Sequence, residues 1–134
     1  MAENTVQTIR ESLLRSGNSE EDVNKIMQGV AFAVQDPRIK LVNLGNTVFM
    51  VTVTRPGEVE VHTFSNESPQ GLVNNFVNLT KYLKNIGVKK ASTYSDDGRF
   101  RKIAEMTKLP VKISQTTKMV GNQMKPVYKY EMEM

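Results

Sequence analysis

The chain contains no cysteine and no tryptophan, and only one histidine, His62. Without thiols there can be no disulfide framework, no thiolate nucleophile and no cysteine-built zinc site. A single imidazole leaves no pair for a histidine-built metal centre, so no metal ligand set is assigned. Aromatic residues make up 7% of the sequence, and no apolar run reaches the ~20 residues that cross a bilayer as a helix. The N-terminus, Met1-Ala2-Glu3-Asn4, lacks the basic and apolar regions of a secretory leader. The expectation is a cytoplasmic protein with no membrane partner. The P-loop, dinucleotide fingerprint, nucleophile elbow and two-histidine metal pattern are all missing.

What is present fits one ordinary domain over residues 1–134, with 39% hydrophobic and 24% charged residues. The charge is unevenly placed. Residues 1–80 carry six Lys/Arg against nine Asp/Glu, and residues 81–130 carry twelve against three. A basic second half offers an anion a surface. Lys81, Lys84, Lys89, Lys90, Arg99, Arg101 and Lys102, interleaved with Tyr82, Tyr94 and Phe100, have the composition of a nucleic-acid face spanning residues 81–129.

Residues 1–36 read as a helical section. Val6, Ile9 and Leu13 recur at helical spacing up to Ser16-Gly17-Asn18. Ser19 then caps a second helix, with acids in its first turn and Val23, Ile26, Met27, Val30 and Val34 on one face. From residue 39 the period changes. Ile39 and Leu41, then Val48 to Thr54, are rich in β-branched residues, and Arg55-Pro56-Gly57-Glu58 is a turn. In the strand Glu58 to Phe64, Val59, Val61 and Thr63 share one face, and Glu58, Glu60, His62 and Phe64 the other. Ser68 and Pro69 open a long helix carrying Leu72, Phe76, Leu79, Leu83 and Ile86, which Gly87 ends. A strand at 88–94, a short helix from Arg99 to Lys108 and a terminal hairpin, Val111–Val120 with Pro126–Met134 around Gly121-Asn122, complete the chain. The fold class is α/β (α+β), a mixed, mainly antiparallel sheet flanked by helices.

The order hairpin, loop, long helix, strand, loop, short helix, strand resembles the core of the GNAT superfamily of acyl-CoA-dependent N-acetyltransferases. The stretch Tyr94-Ser95-Asp96-Asp97-Gly98-Arg99-Phe100 through Leu109-Pro110-Val111 looks like a diverged form of that family's strand, helix and following strand. The resemblance covers roughly residues 39–134. It implies that the strand before the long helix splays from its neighbour, and that acetyl-CoA enters the opening with its pyrophosphate on backbone N–H groups at the helix start. Ser68, Gln70 and Gly71 fall at that position. It also implies a base on the preceding strand, where Glu60 and His62 lie, and an acid that protonates the departing thiolate. The short helix has no tyrosine, and Tyr94 is the nearest substitute.

The loop departs from the family signature, which is Gln or Arg, two residues, Gly, one residue, then Gly or Ala. Here Gly71 is the only glycine, Pro69 removes a donor, and Glu67 adds negative charge where phosphate would approach. The leading expectation is therefore a GNAT-like protein without efficient catalysis. It would act through a protein partner or assembly, in the manner of internal or assembly-associated virion proteins of tailed bacteriophages, which places it in the host cytoplasm or the virion. The alternatives are an active acetyl-CoA-dependent N-acetyltransferase and a nucleic-acid-binding module.

Overall fold

The computed structural model describes residues 3–120 and 122–134. Two helices come first, α1 (Glu3–Arg15) and α2 (Glu20–Ala33). Strands β1 (Ile39–Leu44), β2 (Thr47–Arg55) and β3 (Glu58–Ser65) follow. Then come α3 (Pro69–Asn85), β4 (Lys90–Ser95), α4 (Arg99–Met106), β5 (Lys112–Val120) and β6 (Gln123–Glu133). The strands form one six-stranded sheet in the order β1-β2-β3-β4-β6-β5. Every pairing is antiparallel except β3 with β4, the two strands that α3 connects.

Local chemistry sets these boundaries. The Ser19 hydroxyl accepts the Asp22 N–H at 3.2 Å, and Glu20, Glu21 and Asp22 fill the first turn of α2, where the helix dipole favours acids. Two residues, Pro56 and Gly57, join β2 to β3. Proline presets the first central position of that turn, and Gly57 takes a φ of 79° that a side chain would strain. At α3, Ser68 is the cap and Pro69 the first residue.

The N-terminal helices cover the sheet rather than standing free. Ile9, Val30 and Val48 are buried together, with Leu13, Ile26, Met27, Val34, Leu41, Met50 and Phe64 packed around them. Within α1 the inward residues are Thr5 and Ile9, one turn apart, and Val6 is only partly covered. Buried Thr5 keeps a partner, because Asn43 Nδ2 donates to its hydroxyl at 2.7 Å. On the opposite face Phe49, Val51, Val59, Val61, Leu79 and Leu83 form the core under α3. Strand β2 thus has helices on both sides, which is why Val48 to Val51 reads as an unbroken apolar run.

Three boundaries differ from the sequence reading by two residues or more. Strand β4 begins at Lys90, not Val88, because the Val88 N–H bonds the Leu83 carbonyl at 3.0 Å and so completes the end of α3. Helix α4 stops at Met106, and Lys108 takes a left-handed φ of 58° before Leu109-Pro110. Strand β6 begins at Gln123, three residues before Pro126. That proline is tolerated because β4 ends at the Ser95–Tyr128 pair, leaving β6 with β5 as its only partner at residue 126. Gly121, part of the expected terminal turn, lies outside the described residues.

Candidate functional site

Strands β3 and β4 run side by side only briefly. Glu58 faces Lys90, Val59 faces Ala91 and Glu60 faces Ser92, and beyond these three pairs the strands separate. The opening that the family resemblance implies is therefore present. A side chain stitches its narrow end: Thr93 Oγ1 donates to the Val61 carbonyl at 2.7 Å. Farther along β3 the buried Thr63 hydroxyl has no partner.

The loop from β3 into α3 is where a phosphate would need free donors, and its own atoms already occupy most of them. The Ser65 N–H donates to Ser12 Oγ at 3.1 Å, Asn66 N–H to the Asn46 carbonyl at 3.0 Å, and Glu67 N–H to Ser65 Oγ at 3.0 Å. Gly71 N–H donates to Ser68 Oγ at 3.2 Å and Leu72 N–H to the Ser68 carbonyl at 2.9 Å. Pro69 has no N–H to offer. The Glu67 carboxylate lies over the first turn. Its Oε1 accepts the Asn46 N–H at 2.6 Å and Asn75 Nδ2 at 3.3 Å, and a Cβ placed on Gly71 would sit 2.7 Å from its Oε2. A carboxylate held against a helix start satisfies that end's positive potential with the chain's own charge.

Ser68, Gln70 and Gly71, where the family resemblance sets the pyrophosphate, are placed as follows. Ser68 is a helix cap whose oxygen is engaged, Gln70 is exposed with its amide on Asn74 Oδ1 at 3.3 Å, and Gly71 packs against a carboxylate. As placed, these residues offer a pyrophosphate few free donors and set a carboxylate at the helix start. Between α3 and α4 the route is also narrow. Phe49, Phe76, Phe100 and Tyr130 form a chain of ring contacts with centroids 5.2, 5.5 and 4.7 Å apart, so Phe100 of α4 closes onto Phe76 of α3. The cavity left beneath them is about 80 Å³ and lined by apolar side chains such as Leu79, Ile103 and Met132. Drug-sized ligand pockets are several times larger, about 300 Å³ and upward. The Tyr130 hydroxyl is buried and unpartnered, and burial raises its pKa.

Glu60, His62 and Tyr94 meet on the opposite face of the sheet. Glu60 is not free: its Oε1 accepts Lys118 Nζ at 2.5 Å. The same ammonium stands 4.0 Å from the Tyr94 ring centroid, with Lys129 Nζ at 5.9 Å from that ring. His62 keeps a solvent-exposed edge. Protein crowded around the rest of its ring lowers its pKa, Glu60 pulls it upward and Lys118 pushes it down again. Lys90 and Lys129 flank Glu131 at 3.3 and 2.9 Å, and the hydrogen bond from Lys129 holds that carboxyl below its usual pKa. Sequence reading missed Lys118 as a member of this group. It lies 58 residues from Glu60, on a strand that is not a neighbour of β3 in the sheet.

The basic cluster divides on folding. Lys90, Arg99 and Arg101 pair with Glu131, Asp97 and Glu105 at 3.3, 2.8 and 3.6 Å. Phe100 is packed between rings, Tyr94 lies under Lys118, and Tyr82 has Lys40 Nζ 5.8 Å from its centroid.

The sequence matches no protein-family model and no curated protein. Solved structures do match the fold. A probable GNAT-family acetyltransferase from Chromobacterium violaceum superposes with a TM-score of 0.70 at 13% identity, covering 98% of this chain and 84% of that one. A spermidine N-acetyltransferase variant from Vibrio cholerae gives 0.65 at 7% identity, covering 99% and 92%. The PaiA N-acetyltransferase from Thermoplasma acidophilum, solved with coenzyme A, gives 0.59 at 13%, covering 98% and 92%. The chain has the GNAT fold, and the likeness takes in the two N-terminal helices as well as the sheet. At these identities it establishes the fold alone.

Proposed function

We propose that this chain is a GNAT-fold protein without efficient acetyl transfer, acting through contacts with another protein. One observation carries the reading: the loop and first turn of α3 bond their own N–H groups and hold the Glu67 carboxylate where a cofactor phosphate would lie. The contact surface has candidates in side chains that a self-sufficient domain would bury. Phe32 on α2 is 77% exposed, and Met119 and Met124, paired across the β5–β6 hairpin, are 59% and 58% exposed. A phage particle or its assembly, with the host cytoplasm or virion as the location, is the setting we assign by analogy, because the compact, cysteine-free sequence is similar to small GNAT-like phage proteins that lack the usual cofactor loop.

Calorimetric titration with acetyl-CoA tests the first half of the proposal. No binding is expected at millimolar cofactor, and saturable one-to-one binding at micromolar concentration overturns it. A photo-cross-linking residue at position 32 tests the second half. A discrete adduct in the native host is expected, whereas uniform labelling counts against a specific partner.

An active acetyl-CoA-dependent enzyme is the second reading. The opened β3–β4 edge and the unpartnered Thr63 hydroxyl favour it. On that reading Glu60 is the base and Glu60→Gln abolishes turnover with cofactor affinity unchanged. A nucleic-acid module would rest on Lys81, Lys84, Lys89 and Lys102 without the stacking rings, and predicts binding that collapses with salt.

A further inference from the structure

Helix α3 leaves one corner of the sheet uncovered on its own side. The register sets Lys40, Val51 and Val61 in one row across β1 to β3 and Arg38, Val53 and Val59 in the next, on the face that carries Phe49. Leu79 and Leu83 seal the central strands, so Val51 and Val59 are buried. The helix then ends at Asn85, and the chain turns at Gly87, with a φ of 91°, toward β4. Beyond that end Val53 is left 40% exposed, and Ile86, the cap residue of α3, 56% exposed. What remains is a half-open trough of about 270 Å³, floored by Val42, Val51, Val53 and Val59 and walled by Tyr82 and Ile86. Helix α3 is 17 residues long, so ~25 Å separates this end from the Ser68 cap and the loop before it.

Charge at the mouth of the trough is one-sided. Arg38 is paired with Asp36 at 2.8 Å. Lys40 has no ion pair among the described residues, and its ammonium stands 5.8 Å from the Tyr82 ring centroid. The Glu58 carboxylate is spent elsewhere, 4.0 Å from Lys90 Nζ. An unmatched positive charge therefore overhangs an apolar floor, and an anionic group with an apolar body complements both. The backbone of the trough offers nothing to an extended peptide. The N–H groups of Arg38, Val53, Ile86 and Val88 already donate to Asp36 Oδ1 and to the carbonyls of Arg38, Tyr82 and Leu83, at 2.9, 2.8, 3.2 and 3.0 Å. A peptide laid there would lose hydration from its carbonyls without gaining donors, whereas a small molecule with one polar end avoids that cost. The volume is near the ~300 Å³ at which small-molecule pockets begin.

We propose that this trough binds a medium-chain alkyl carboxylate, its chain along the valines and its carboxylate at Lys40. The site is separate from the β3–α3 loop, and the inference does not depend on whether the fold transfers acetyl groups.

The test is an NMR titration of the full chain with octanoate as the probe. Saturable one-to-one binding is expected, with methyl shifts centred on Val53, Val59 and Ile86. Octanol, which has the same chain without the charge, should bind roughly fivefold more weakly, the worth of one exposed ion pair. Lys40→Gln should bring octanoate down to the affinity of octanol, and Ile86→Ser should weaken both probes. Both side chains are exposed, so neither change threatens the core. Sedimentation velocity of the free chain should show a monomer. A dimer that Ile86→Glu disperses would mean that a second copy covers the trough, and overturns the proposal. So do an absence of saturable binding, shifts centred away from these residues, equal affinity of the parent chain for octanoate and octanol, and a preference for octanoate that survives Lys40→Gln.

Discussion

The two halves of the sheet are built on different principles. Strands β1 to β3 are sandwiched, with α1 and α2 on one face and α3 on the other, and Phe49, Val48, Ile9 and Leu83 are almost wholly removed from water. On strands β4, β6 and β5 the apolar packing is Phe100 of α4 against Tyr130 of β6, with Met132 beside them on the same face. Their other face carries Lys90, Tyr94, Lys118, Lys129 and Glu131, joined by ion pairs and ring contacts. The first half holds itself together by burial of apolar surface. The second half uses short-range charge pairing, which contributes little stability per contact and leaves a surface able to bind.

Substitutions separate the two halves, and the largest effect belongs to the first. Phe49→Ala removes a fully buried ring that touches Phe76, and denaturant unfolding should show a loss of about 3–5 kcal/mol. In the second half, Glu131→Gln should cost no more than about 1 kcal/mol, because its lysine partners remain partly hydrated. A comparable loss at both sites would break the contrast. Tyr130→Phe sharpens it further. Deleting a buried hydroxyl that has no partner should leave stability within about 1 kcal/mol of the parent or raise it, and a larger loss would mean that the hydroxyl is bonded.

His62 reports on the polar face by titration. Its folded pKa lies below its unfolded one, so the unfolded chain binds more protons across that window. The histidine's contribution to stability is full above about pH 6.5 and declines as pH falls through the folded value. NMR titration of the ring should find the pKa raised by Lys118→Ala, which removes a nearby positive charge, and lowered further by Glu60→Gln. Shifts of the same sign would contradict the arrangement. A small effect of opposite sign is expected at the end of α4: Lys108→Gly relieves a left-handed φ and should stabilise by about 1 kcal/mol in thermal unfolding.

Much of the fold was legible from local signals. Ser19 and Ser68 announce their helices by capping, Pro56-Gly57 fits one turn type, and the alternation from Glu58 to Phe64 assigns its faces correctly. Pro126 misled the reading because a proline inside a strand is acceptable only where one edge is unpaired, and that depends on where β4 stops. The site was legible in part. Glu67 could be read as an unwelcome charge near the helix start, but its bonds to Asn46 and Asn75 depend on how the β1–β2 turn and α3 pack. The pairing of Glu60 with Lys118 left no local trace, since its partner lies 58 residues away on a strand that does not adjoin β3.

The most direct test of the central claim is an amide NMR titration with coenzyme A, following Ser65, Asn66, Glu67 and Gly71. Their N–H groups are engaged by Ser12, Asn46, Ser65 and Ser68, and these resonances should not move at millimolar ligand. Saturable shifts centred on the start of α3 would mean that the loop releases those bonds for a phosphate, and the chain would then have to be treated as a functioning acetyl-CoA-binding protein.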